Sequence, residues 1–216
     1  MVNRRDFSAC ALALAGAVLS APLAAQTASG ARRTLLVVGD SLSAEYGLAR
    51  GAGWVALLEK RLAEQKMDVQ VINASISGDT TAGGRSRLPA LLKQHQPDFV
   101  ILELGGNDAL RGLPLGNTEE NLTAMAKAAQ AAGAKPLLVG IQVPPNYGTD
   151  YMRRFSAVFE KVGAATKSPV VPFFLRGVAD GPDAADMFQA DRIHPLAKAH
   201  PRMLDNVWPE IKKLVD

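Results

Sequence analysis

From residue 34 onward, short continuous apolar runs alternate with stretches whose apolar residues recur at helical spacing, and this alternation restricts the fold more than any other feature. The runs at 34–38, 69–73, 99–104, 136–142 and 170–173 have strand length, and 34–38 is a continuous apolar run of the kind buried on both faces. Between them, 54–63 carries Trp54, Leu57, Leu58 and Leu62 at helical spacing, and 85–94, 118–132 and 151–166 read as further helices. A last helix is predicted over 201–215, with Pro201 at its first position and Pro209 as a kink. Regular alternation of strand and helix predicts a parallel sheet covered by helices on both sides, one α/β sandwich without repeats or a second domain.

The beginning of the chain reads differently. Arg4 and Arg5 precede an apolar run over 9–19, followed by small residues and Pro22. A basic start, a short apolar stretch and a small-residue exit describe an export signal, here expected over 1–25 and too short to span a membrane. The paired arginines fit the twin-arginine route, and the general secretory route stays open. A linker over 26–33 would then lead into one domain over 34–216. Removal of the signal would take the formal charge from +3 to +2 and remove Cys10, the single cysteine. The mature chain would have no disulfide, no cysteine metal site and no integral membrane segment. Apolar and charged fractions of 48% and 21% suit a globular protein, and the scattered Lys and Arg residues suggest no nucleic-acid surface.

In a parallel sheet, sites form outside the carboxyl ends of the strands. The first strand is followed by Gly39-Asp40-Ser41-Leu42, the second by a loop holding Gly78 and Asp79, the third by Gly105-Gly106-Asn107-Asp108. Ser41 is placed at a strand-to-helix turn, where a serine points into a cleft with its own N–H free; taken alone it also reads as a helix cap. A serine nucleophile needs a base. Of the three histidines, His95 sits in a connector at the wrong edge of the sheet and His200 is expected to be exposed. His194 follows Asp191 by three residues and precedes Pro195, which disfavours helical geometry. A turn there directs Asp191 to one imidazole nitrogen and leaves the other for Ser41, although such a pair alone is more often a surface ion pair. Gly78, Asn107 and the Ser41 N–H are the candidate oxyanion donors, while Gly78 and Asn107 taken singly are ordinary turn residues. Asp40, Asp79 and Asp108 are read as turn braces.

Taken together, these blocks resemble the four sequence blocks of the SGNH (GDSL-type) hydrolases. The stretches Asn73-Ala-Ser-Ile-Ser-Gly-Asp79, Glu103-Leu-Gly-Gly-Asn-Asp108 and Pro145-Asn-Tyr-Gly148 resemble most its periplasmic subgroup of thioesterases that are also lysophospholipases and arylesterases. The resemblance covers nearly everything from Leu35 to the C-terminal helix. It implies a three-layer αβα, flavodoxin-like fold with a five-stranded parallel sheet, and a periplasmic or secreted location. It also implies Ser41 as nucleophile, Asp191 and His194 as acid and base, an oxyanion hole of Ser41, Gly78 and Asn107, and neither metal nor organic cofactor. Substrates would be small acyl esters, thioesters and lysophospholipids, with Leu110, Leu113 and Pro144 as candidate linings of an acyl groove. Arg192 stands where the family often has glycine between acid and base, Leu196 where Asn is frequent, and Ala109 where glycine is usual. A carbohydrate acetylesterase of the same fold and a non-catalytic binding module are the alternatives. A nucleotide-binding domain is disfavoured because the first loop has neither a Gly-x-Gly-x-x-Gly nor a Walker pattern.

Overall fold

The computed structural model describes residues 32–216, so the predicted export signal, Cys10 and nearly all of the predicted linker lie outside the described residues. Five parallel strands form one sheet: β1 (Arg33–Gly39), β2 (Val69–Asn73), β3 (Phe99–Glu103), β4 (Lys135–Val139) and β5 (Val170–Val171), in the order β2-β1-β3-β4-β5. The helices are α1 (Trp54–Glu64), α2 (Thr81–His95), α3 (Gly106–Leu110), α4 (Leu115–Ala131), α5 (Thr149–Thr166), α6 (Ala184–Met187) and α7 (His200–Val215). From β1 the chain moves outward to β2 through α1, then back past β1 to β3 through α2. With right-handed crossovers, that reversal puts α1 and α2 on opposite faces. Accordingly α1 packs with α7, and α4 packs between α2 and α5. The strand order reverses between β1 and β3, and in doubly wound sheets the crevice at such a point takes the ligand.

Burial explains why the strands were legible. Leu35 through Val38 and Val100 through Leu102 have no exposure, so the central strands are apolar on both faces. Trp54, at the start of α1, is fully buried with its ring edge-on to Phe174 at 5.4 Å. Each such side chain contributes about 1.5–3 kcal/mol by leaving water.

The structure moves several predicted boundaries, each for a local reason. Arg33, predicted in the linker, is the first residue of β1 and pairs with Val69. β5 ends at Val171, because Pro172 has no N–H for the ladder. α2 starts at Thr81, four residues before the predicted start at Arg85, where the Thr80 hydroxyl accepts the Gly83 N–H at 3.2 Å. α3 was not anticipated: five residues beginning Gly-Asn leave no periodicity to read. α7 continues through Pro209 to Val215.

Leu102 and Leu110 separate core from surface, being 0% and 47% exposed. Urea unfolding should show Leu102→Ala losing about 2–5 kcal/mol, with Leu110→Ala within about 0.5 kcal/mol of wild type.

Candidate active site

Ser41 stands two residues beyond β1, after Asp40, but it does not open a helix as predicted. The chain makes consecutive turns, with the Ser43 and Ala44 N–H groups donating to the Asp40 carbonyl, and α1 begins only at Trp54. The free N–H of Ser41 is therefore a product of the turn, not of a helix terminus. Gly39 is needed for space: a Cβ there would stand 2.8 Å from Ser43 Oγ and 2.9 Å from Glu103 Oε2.

Sequence-distant groups converge on the Ser41 hydroxyl. His194 Nε2 lies 2.9 Å from Ser41 Oγ, and His194 Nδ1 lies 2.7 Å from Asp191 Oδ2. The other Asp191 oxygen accepts the N–H groups of Ile193 and His194 at 2.9 and 3.1 Å, so one carboxylate folds its own turn and orients the imidazole. Arg192 takes φ +58°, the left-handed region, which explains why a glycine suits this position. The His194 loop is tied to the Ser41 loop by Gln189, whose amide donates to the Tyr46 and Pro195 carbonyls at 2.9 and 3.3 Å. Tyr46 lies over the His194 ring at a centroid distance of 4.2 Å. Neither residue was singled out from the sequence. Tyr46 left only the signal of an aromatic just after the nucleophile motif, and Gln189 left none.

The three candidate oxyanion donors lie at the ends of β1, β2 and β3. Among the described residues, the N–H groups of Ser41 and Gly78 donate to no other group of the chain. Gly78 has φ +79°, and the Arg111 guanidinium fixes its carbonyl at 2.7 Å. Asn107 is committed on both sides: Nδ2 donates to Asp40 Oδ2 at 3.0 Å and to the Asp79 carbonyl at 2.9 Å. An incoming oxyanion must share or displace one of these bonds. Asp79 also pairs with Arg87 at 2.7 Å, and Arg87 donates to the Ala74 carbonyl, fixing the Gly78 loop from below. Asp108 accepts the N–H and hydroxyl of Thr81, joining α3 to the start of α2.

His200 corrects an expectation. It is buried, 2% exposed, because its Nδ1 accepts the Trp54 N–H at 3.0 Å and thereby caps α1 from a distance. Burial lowers its pKa, which keeps the ring neutral for that role. His95, expected in the connector before the third strand, is instead the last residue of α2. Leu110 ends α3, Leu113 is half-buried in the loop that follows, and exposed Pro144 precedes a short 3-10 turn at Pro145–Tyr147.

Two carboxylates have opposite electrostatic settings. The hydrogen bond from His194, then the N–H groups of Ile193 and His194, hold Asp191 down to about 2. Its stabilising effect is thus present above the usual carboxylate range and fades only as pH falls toward that value. Burial raises Asp40 from 3.8 to about 6, against the hydrogen bonds from Leu42 and Asn107 and the charge of His194. A raised native pKa favours folding at low pH, and the advantage is lost as pH rises through about 6. The stability of wild type relative to Asp40→Asn should therefore drop, by up to about 3 kcal/mol, between about pH 4 and about pH 7 in urea unfolding. A difference independent of pH would mean that burial does not raise the Asp40 carboxyl above its unfolded value.

Residues 37–202 match the GDSL-like lipase/acylhydrolase family. The chain is 55% identical to the esterase TesA of Pseudomonas aeruginosa over 189 residues, 88% of this chain and 92% of that one. It is 44% identical to thioesterase 1/protease 1/lysophospholipase L1 of Escherichia coli strain K12 over 188 residues, 87% of this chain and 88% of the other. A crystal structure of TesA, 56% identical, covers 84% of this chain and 99% of its own, with a TM-score of 0.81. The chain is an esterase and belongs to the GDSL-like lipase/acylhydrolase family.

Proposed function

We propose that Ser41 is the nucleophile of this esterase, that His194 is its general base and then acid, and that Asp191 orients the imidazole. The single observation that carries this reading is the continuous chain Ser41 Oγ–His194–Asp191 at 2.9 and 2.7 Å. Ser41 Oγ attacks the acyl carbonyl while its proton passes to His194 Nε2; the same proton is returned to the leaving group. Water then enters the same position, gives a proton to His194 as it attacks the acyl carbon, and that proton returns to Ser41 Oγ as the acid leaves. The Ser41 and Gly78 N–H groups receive the oxyanion, and Asn107 turns its Nδ2 hydrogen from the Asp79 carbonyl toward it.

The surface around Ser41 supports an apolar acyl substrate. The exposed large apolar side chains of the described residues are Tyr46, Ile76, Leu110, Ile193 and Leu196. Each is close in sequence to Ser41, Gly78, Asn107 or His194, so the apolar surface is concentrated on the loops that carry the site. An apolar surface confined to one place marks a binding region. This reading favours acyl esters, thioesters and lysophospholipids over acetylated sugars, in line with the names of the relatives. Leu113 and Pro144 would extend this rim. Export by the 1–25 segment would place the enzyme in the periplasm, and among the described residues no helix is long and apolar enough to cross a membrane.

A fluorophosphonate probe should label the wild type at Ser41 and leave Ser41→Ala unlabelled; equal labelling of both would remove the nucleophile assignment. Across p-nitrophenyl esters of rising chain length, acyl-CoA, lysophospholipid and acetylated sugars, kcat/KM should rise with acyl length beyond acetyl. Activity confined to acetylated sugars would reject the apolar-acyl reading.

A further inference from the structure

Beneath the Ser41 turn lies a second carboxyl that the acyl-transfer steps leave unused. Glu103, the last residue of β3, is 2% exposed, and Asp40, one residue before Ser41, is 3% exposed. β1 and β3 are paired there, with Gly39 opposite Glu103. The Ser43 hydroxyl accepts the Trp54 indole N–H at 3.1 Å, so its own hydrogen goes to Glu103 Oε2, 2.7 Å away. Asp40 in turn accepts the Leu42 N–H on one oxygen and Asn107 Nδ2 on the other. A proton on Asp40 would compete with one of these bonds.

The charged groups around the pair leave little choice of state. Glu103 faces Asp40, Ser43 and, through Ser43, the Trp54 indole; Asp40 feels His194 and Asp79 as well. No ion pair among the described residues includes either acid. Two buried carboxylates side by side without a cation in contact do not both ionise.

We propose that Glu103 is a positioning residue that works as a neutral acid, holding Ser43 and leaving Asp40 as the one anion under the nucleophile turn. The ionised Asp40 then fixes Asn107, and this functional weight rests on Asn107 acting as an oxyanion donor. Burial and the Asp40 charge both push the Glu103 carboxyl well above its ordinary value, in the same direction.

The test combines a spectroscopic readout with kinetics. Infrared difference spectra between wild type and Glu103→Gln near neutral pH should show the carbonyl band of a protonated carboxylic acid in the wild type only. If that band is missing, Glu103 is ionised and the proposal fails. Glu103→Leu keeps bulk without the hydrogen bonds; its kcat should fall about ten- to hundredfold with KM nearly unchanged. Glu103→Gln, neutral and hydrogen-bonding, should recover kcat to within about threefold of wild type. Equal losses in both variants would overturn the neutral-acid role, and full activity in Glu103→Leu would overturn positioning. Should Glu103→Leu fail to fold, Ser43→Ala breaks the same link; a wild-type kcat in that variant would also overturn positioning. The infrared band needs no turnover, whereas loss of Ser41 labelling by the fluorophosphonate would count against the nucleophile reading alone.

Discussion

The site depends on one buried carboxylate, Asp40, set where the strand order reverses. Its backbone carbonyl receives the turn that carries Ser41, one side-chain oxygen receives Leu42, and the other receives Asn107 from beyond β3. Ser41 and Asn107, the proposed nucleophile and oxyanion donor, are thereby placed relative to each other by a single residue. Leaving such a group buried and unpaired would cost several kcal/mol, so its hydrogen bonds are obligatory and not decorative. Gly39 belongs to the same constraint, because any side chain there would collide with Ser43 and Glu103.

The histidine arrives from far along the chain and is held differently. Asp191 folds its own turn, but that turn has to be pinned to the Ser41 loop across most of the sequence. Gln189 does so by bonding to Tyr46 and Pro195, and an isolated bridge between Phe188 and Pro195 stiffens the segment. His200 fixes the following helix to the start of α1 through the Trp54 N–H. The Trp54 indole then reaches Ser43, so a buried run of hydrogen bonds passes from the end of the His194 loop to the base of the Ser41 turn. A triad geometry of 2.7 and 2.9 Å is credible on loops only with such support.

Much of this was legible in the sequence, and the remainder has a common physical cause. Continuous apolar runs revealed the strands because both faces of the sheet are covered. The strand-end rule then brought Ser41, Gly78 and Asn107 together, and proline after His194 marked the turn. What escaped were contacts between segments remote in the chain. His200 looked like an exposed polar residue before a proline, yet it caps a helix whose start lies at Trp54. Gln189 and Tyr46 carry no local pattern that foretells a bond across the cleft. Glu103 lay within an apolar run, and nothing in its neighbourhood in sequence announced a second acid next to Gly39, its partner across the sheet.

The commitment of Asn107 bears on how such a site can be selective for the transition state. In the resting enzyme its Nδ2 already donates to the Asp79 carbonyl. A substrate carbonyl offers an acceptor of the same kind, so exchanging one for the other yields little net binding. An alkoxide-like oxygen is a much stronger acceptor, since hydrogen bonds to a charged group are roughly twice as strong as neutral ones. In the proposed mechanism the exchange becomes favourable only as charge develops on the oxygen. Asn107 then contributes to the barrier and hardly to ground-state affinity, which is the distinction that raises kcat. The arrangement works only while Asp40 stays ionised and holds the other Nδ2 hydrogen, so that the amide pivots about a fixed bond instead of turning away. The buried anion under Ser41 and the selectivity of the oxyanion hole are, on this reading, one device.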